Sequence, residues 1–150
     1  MNYDGIKELI KQATDEGIVE FADFGDGVSN EWIKKAEDRV GLIFPESYKW
    51  WLHNYGGGEI CGNEIYSVYE EDFDSIVGGD VVHIYELNLH ENNGITSDML
   101  VICDDEEEVY YLDLSKMDEN HECPVYAFYS KTLYAGSFLE FLEKYIKKSL

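Results

Sequence analysis

Four histidines (53, 83, 90 and 121), three cysteines (61, 103 and 123) and 32 aspartates and glutamates are the residues of this chain that could do chemistry. A structural metal site pairs its ligands at about two- to four-residue spacing. The one local grouping, His121-Glu122-Cys123, reads instead as a polar turn leading into a strand. Cys103 with a histidine would make a nucleophilic pair, but it ends the apolar run "MLVIC", where a free cysteine behaves as a small buried hydrophobe. No G-x-S-x-G elbow is present. The glycine-rich "GGGEICG" lacks the Lys-Ser/Thr of a phosphate loop and follows a helical pattern instead of opening one. The residues offer no catalytic, cofactor-binding or metal-binding constellation. Binding, without catalysis, is the expected mode of action.

The carboxylates are unevenly placed. Residues 70–122 hold 17 Asp and Glu against one Lys, a net of −16, while residues 1–69 carry −7 and residues 123–150 carry +2. The densest runs are "EED" at 70–72 and "DDEEE" at 104–108. Consecutive acids repel one another and must be solvated, so these runs mark exposed tips. With a total of −21, the surface repels phosphate backbones and anionic lipid within a Debye length, which speaks against direct nucleic-acid or membrane binding. Such a surface steers a basic partner towards itself or serves solubility alone, and composition does not separate the two.

The elements that must position these tips can be read from periodicity. Ile6, Leu9, Ile10 and Ala13 predict a first helix closed by Gly17. "SNEWIKKAEDRVG" predicts a second, with Asn30 as N-cap, Ile33, Ala36 and Val40 inward and Gly41 as a left-handed stop. In "FPESYKWWLHNYGGG", Pro45 suits the first helical position, Tyr48, Trp51, Leu52 and Tyr55 form an apolar face, and Trp50 lies off it. "EICGNEIYSVY" predicts two short strands around a Gly62-Asn63 turn. Residues 70–80 read as a loop. Asp80 caps a helix through "VVHIYELNLHE", with Val82, Tyr85 and Leu89 on one side; a strand over Val81 to Tyr85 is the competing reading.

"MLVIC", "VYYLDL" and "PVYAFY" predict a strand meander. "SFLEFLEKYIKKSL" predicts a closing helix with a Ser137/Glu140 capping box and a Leu139, Leu142, Ile146 stripe. Helices, then strands, then a helix give an α+β fold. It is a single domain over residues 1–150, with one mostly antiparallel sheet packed by N-terminal, middle and C-terminal helices. Chain length, 45% hydrophobic residues and 15% aromatic residues suit one packed core. An odd cysteine count without close pairs suggests a reducing compartment. No run approaches the ~18 apolar residues of a membrane span, and a soluble, cytoplasmic protein is expected.

Taken in order, "AEDRVGLIFPESYKWWLHNYGGG", "MLVICDD", "VYYLDL", "CPVYAFY" and "SFLEFLEKYI" resemble the SUKH superfamily, from about Asn30 to Ile146. The most specific pieces are Gly41, Leu42, Pro45, Tyr48, Leu52, Tyr55, Gly56 and Gly57, and the terminal Ser137, Phe138, Glu140, Phe141 and Leu142. That superfamily includes fungal cell-wall synthesis regulators and bacterial immunity proteins against polymorphic toxins. The resemblance implies a non-catalytic protein-binding domain. Its expected role is to neutralise a cognate toxin, frequently a basic nuclease; the alternative is a regulatory or scaffold module acting on an endogenous partner. Family members often place a glycine-containing turn where this chain has "DDEEE", which makes that tip a candidate for partner-specific decoration. The expected contacts are therefore Glu70, Glu71, Asp72, Asp104, Asp105, Glu106, Glu107 and Glu108, with Tyr66 and Tyr69 as aromatic neighbours.

Overall fold

Helix α1 (Tyr3–Asp15) begins where the Asn2 side chain accepts a hydrogen bond from Gly5 N–H at 2.8 Å, and it buries Ile6, Leu9, Ile10 and Ala13 as their spacing predicts. The computed structural model describes residues 2–21 and 26–150. Strand β1 (Val19–Phe21) follows α1 directly. Helix α2 (Asn30–Val40) ends at Gly41 with φ 80°, as expected, but its cap is Ser29, whose hydroxyl accepts from Trp32 N–H at 3.3 Å. Serine and asparagine are near-equal caps, so neighbouring candidates differ only in which one the preceding chain leaves extended. Helix α3 (Glu46–Tyr55) places Pro45 just outside its first turn, and buries Tyr48, Trp51 and Leu52 fully while Tyr55 stays half-buried.

Strands β2 (Gly58–Ile60) and β3 (Asn63–Ile65) make the expected hairpin, but the turn is Cys61-Gly62. Both residues have positive φ, 53° and 79°, the type I′ geometry that matches strand twist. Helix α4 (Val81–Glu91) settles the 81–85 segment as helix. Val81, Val82 and Tyr85 are buried, whereas Leu89 is exposed, because the helix packs through its first two turns only. Strands β4 (Met99–Asp104), β5 (Val109–Asp113) and β6 (Val125–Ala127) form the predicted meander, and β7 (Thr132–Ala135) extends it. With three and four residues, β1 and β7 are too short for alternation to reveal them. In helix α5 (Phe138–Lys147) the buried stripe is Phe138, Phe141, Leu142, Tyr145 and Ile146, with Leu139 only half-buried. Glu140 Oε2 reaches one residue beyond the expected capping box and accepts from Gly136 N–H at 2.8 Å.

The sheet runs β1-β2-β3-β4-β5-β6-β7 in chain order, and every neighbouring pair is antiparallel. One face packs against the helices in a single apolar cluster, to which the strands contribute Val19, Ile60, Ile65, Leu100, Ile102, Leu112, Val125 and Ala135. Phe44, Tyr48, Trp51, Phe138, Phe141 and Tyr145 make its aromatic centre, with ring centroids 5.1–6.3 Å apart. Tyr48 is wholly buried, and its hydroxyl donates to Tyr66 O at 2.6 Å, tying α3 to the end of β3. The other face carries a smaller cluster of Ile95, Val101 and Val109, bordered by Tyr66, Ile84, Met99, Tyr111 and Phe128.

Buried and half-buried carboxylates secure the joints. Glu37 accepts from Phe44 N–H at 2.8 Å and so fixes the α2–α3 connection. Glu122 accepts from Ser47 N–H at 3.1 Å and Ser47 Oγ at 2.6 Å at the start of α3. Asp80, with no solvent exposure, accepts from Val82 and His83 N–H at 2.9 and 3.1 Å and from Tyr69 N–H at 3.0 Å. Asp80→Ala should lower unfolding stability by roughly 2–4 kcal/mol, because three backbone donors lose a buried acceptor. The readout is a reduced urea midpoint at unchanged m. Asp80→Asn should recover part of the loss.

Candidate partner-binding surface

The face of the sheet turned away from the main core carries a row of like charges. Register pairs Glu20 with Glu59 and Glu59 with Glu64 across β1, β2 and β3. Their neighbours Val19, Ile60 and Ile65 point into the core, so alternation sends all three carboxylates to the opposite face. Ile65 pairs with Cys103, and one step along that register places Asp104 of β4 beside Glu64. Four carboxylates therefore stand side by side over four strands. Among the described residues none of them forms an ion pair. Directly opposed like charges destabilise a sheet, which makes this arrangement informative.

The predicted residues Glu70 and Glu71 border the same region. With Glu20, Glu59, Glu64, Ser67 and Tyr69 they line a cleft of about 830 Å³ at the end of β1–β3. Glu70 has a left-handed backbone and accepts from Ser29 N–H at 2.7 Å, which fixes the cleft's rim. Tyr69 donates its hydroxyl to Glu64 Oε1 at 2.5 Å and accepts from Gly79 N–H at 2.8 Å. Burial and then Glu64 push its acidity well down, so it remains a neutral donor. A Cβ at Gly79 would meet the Glu64 carboxylate and displace it from this position. Tyr66 joins the acid row to the smaller apolar cluster; burial first, then Asp104, Cys103 and Glu64, raise its pKa to about 12. Asp72 lies apart from this cleft. It accepts from Asp74 N–H at 3.0 Å and lines a separate groove with Trp32, Phe73 and Arg39, the last already bonded to Asp74 and Glu86.

The "DDEEE" tip divides in two. Asp104, Glu106 and Glu107 are exposed. Asp105 turns inward, its side chain 8% exposed, and accepts from Glu107 and Glu108 N–H at 3.1 and 2.8 Å and from the Tyr145 hydroxyl at 2.9 Å. Lys148 Nζ lies 3.8 Å from it and 3.9 Å over the Tyr145 ring. Glu108 accepts from the N–H groups of Val109, Tyr129 and Ser130 at 3.1, 2.5 and 3.1 Å. It thereby ties the β4–β5 tip to the β6–β7 tip. The tip is a stapled platform that presents three acids, not a loose run of five.

Cys103 is buried beside Tyr145, 3.8 Å from its hydroxyl, and desolvation raises its thiol to about 12 despite that hydrogen bond. Cys123 is raised to about 12 in the same way, through burial and then Glu122. Neither is a thiolate near neutrality. Among the described residues no group of three or more His, Cys, Asp and Glu is placed to hold a metal ion. Among the described residues no helix is long and apolar enough to cross a membrane.

Sequence reasoning missed Glu20, Glu59 and Glu64. The available signal was their shared setting at the centre of three tripeptides, "VEF", "GEI" and "NEI", but only strand pairing brings them into one row.

Two outcomes follow from this geometry. Glu59→Lys should raise stability by roughly 0.5–1 kcal/mol by removing like-charge contacts on both sides. Added salt, which screens repulsion, should stabilise the wild type more than this variant in thermal melts. For Glu108, burial opposes ionisation, but the bonds from Tyr129, Ser130 and Val109 outweigh it and hold the pKa below the ordinary glutamate value. A depressed carboxylate contributes stability above its unfolded pKa and loses it as pH falls through the folded one. The Tyr129 and Ser130 amide resonances should therefore hold steady down to the usual glutamate range and move only below it. Glu108→Gln should abolish that titration.

The fold agrees with a match to a known family. Residues 6–147 match the SUKH_5 family model, described as SMI1-KNR4 cell-wall, in a superfamily whose members include toxin-immunity proteins and cell-wall regulators. With nearly its whole length matched, this chain belongs to the SUKH_5 (SMI1-KNR4 cell-wall) family.

Proposed function

We propose that this protein is an immunity protein that binds and neutralises a cognate polymorphic toxin, a basic nuclease domain, without chemistry of its own. The observation that carries the reading is the row of Glu20, Glu59, Glu64 and Asp104 on the sheet face away from the main core, none of them in an ion pair among the described residues. A like-charge row weakens the sheet that holds it, and a cationic partner turns that repulsion into attraction. A nuclease must present a basic surface to its phosphate substrate, and this face complements such a surface. Glu70 and Glu71 at the cleft rim extend the same field, as do Asp104, Glu106 and Glu107 at the β4–β5 tip. Long-range attraction of this kind sets the association rate more than the dissociation rate. Asp105 and Glu108 contribute indirectly, by holding the tip.

The test is co-expression with the polypeptides encoded by adjacent reading frames, scoring rescue from toxicity and co-purification. A neutralising complex is expected, with an association rate that falls steeply as salt rises. Reversing Asp104, Glu106 and Glu107 to lysine together should slow association at least tenfold and flatten the salt dependence, with little change in folding. Absence of a toxic neighbour that this protein rescues would favour an endogenous regulatory partner and overturn the immunity reading.

A further inference from the structure

The same open face has a second half that the charge reading leaves unused. Register runs Val101 of β4 to Tyr111 of β5, Tyr111 to Tyr126 of β6, and Tyr126 to Leu133 of β7. The intervening residues Leu112, Val125, Ala127 and Ala135 belong to the main core, so this row faces away from that core. Val101 is buried with Ile95 and Ile84 of α4, and the open part of the row begins at Tyr111. Tyr111 and Tyr126 are stacked, with centroids 5.8 Å apart and planes at 23°. Leu133 is 60% exposed at the sheet edge, and Tyr129 at the adjoining tip is 61% exposed, its ring 5.7 Å from that of Phe128. The apolar strip adjoins the acid row without a break: Asp104 pairs with Val109, and Phe128 N–H donates to Val109 O at 2.8 Å.

We propose that this strip is the anchoring half of the docking face. It would receive an apolar projection on the partner flanked, on the side of β1–β4, by arginine or lysine. The inference rests on the cationic partner proposed above and adds where the affinity resides. Three features select that occupant. Among the described residues the carboxylate row beside the strip has no ion-pair partner, and it matches a basic flank. Tyrosine faces accept both aliphatic side chains and cationic groups, the chemistry of interface hot spots. Lys116 Nζ, 4.7 Å over the Tyr126 ring and 2.7 Å from its hydroxyl, already uses one of them in this way. A second copy of this chain, at −21 net charge, would bring acid row against acid row.

The probe is a 12-residue peptide alternating arginine and leucine, added to the isotope-labelled full chain and followed by amide NMR. An arginine–serine peptide and an aspartate–leucine peptide of equal length are the comparisons. The arginine–leucine peptide should shift the amides of residues 101, 111, 126–129 and 133 together with those of Glu59 and Glu64. The arginine–serine peptide should shift only the acid half, and the aspartate–leucine peptide neither. Leu133→Ser and Tyr129→Ser, both exposed and so expected to keep the wild-type spectrum, should each weaken arginine–leucine binding at least fivefold. Shifts centred on α2 or α3, affinity within twofold in both variants, or concentration-dependent shifts on the strip without peptide would overturn the proposal, the last in favour of self-association. In the rescue assay, a wild type that neutralises while the double variant neutralises equally well would sink the anchoring strip alone. A wild type that never neutralises would instead sink the immunity reading.

Discussion

A seven-stranded antiparallel meander with its main core on one face leaves the other, outside the small Ile95, Val101 and Val109 cluster, to meet water or a partner. That constraint governs the rest of the structure. Every strand must alternate correctly, because a slip of one residue would bring Glu20, Glu59 and Glu64 into the core and expel Val19, Ile60 and Ile65. The covered face is held by dispersion and apolar burial around Tyr48, Trp51, Phe138 and Phe141. The uncovered face cannot be apolar throughout without inviting aggregation. It is divided between carboxylates on β1–β4 and the strip of Tyr111, Tyr126 and Leu133 on β5–β7.

A net charge of −21 suggests a uniform acidic coat, yet the carboxylates fall into two kinds. Glu37, Asp80, Asp105, Glu108 and Glu122 accept backbone N–H groups at helix starts and tips. There the negative charge is matched by oriented amide dipoles, the same physics as helix capping. Glu20, Glu59, Glu106 and Glu107 stand in solvent, as does Asp104, although its Oδ1 also accepts from Glu106 N–H at 3.0 Å. The first kind builds the scaffold and the second creates the field. A stapled tip matters for binding because acids held in place lose less entropy on association than acids on a mobile loop.

The strands, the helices and their order were legible in the sequence wherever a pattern ran long enough. The Tyr48, Trp51, Leu52 face of α3, the Asp80 cap of α4 and the three runs of β4, β5 and β6 are all local signals, set by the 3.6- and 2-residue periods and by capping chemistry. The misses were local competitions between near-equal alternatives. Ser29 or Asn30 can cap α2, and the two-residue turn could fall at Cys61-Gly62 or one residue later. Leu89 lies outside the core because helix burial depends on what lies opposite, which periodicity does not contain.

By itself, the sequence determined that this is an acidic α+β domain with its charge gathered in the middle, and that it carries the landmarks of its family. Composition and short-range pattern are properties of the chain alone. Only the tertiary structure decided which acids are free and where they stand. Residues 20, 59, 64 and 104 become neighbours through strand pairing across some eighty positions of sequence. Asp105 is withdrawn from the "DDEEE" run because Tyr145, forty residues away, offers it a hydroxyl. Pairing and burial are long-range choices, fixed by the core as a whole, and no local reading of charge could have made them.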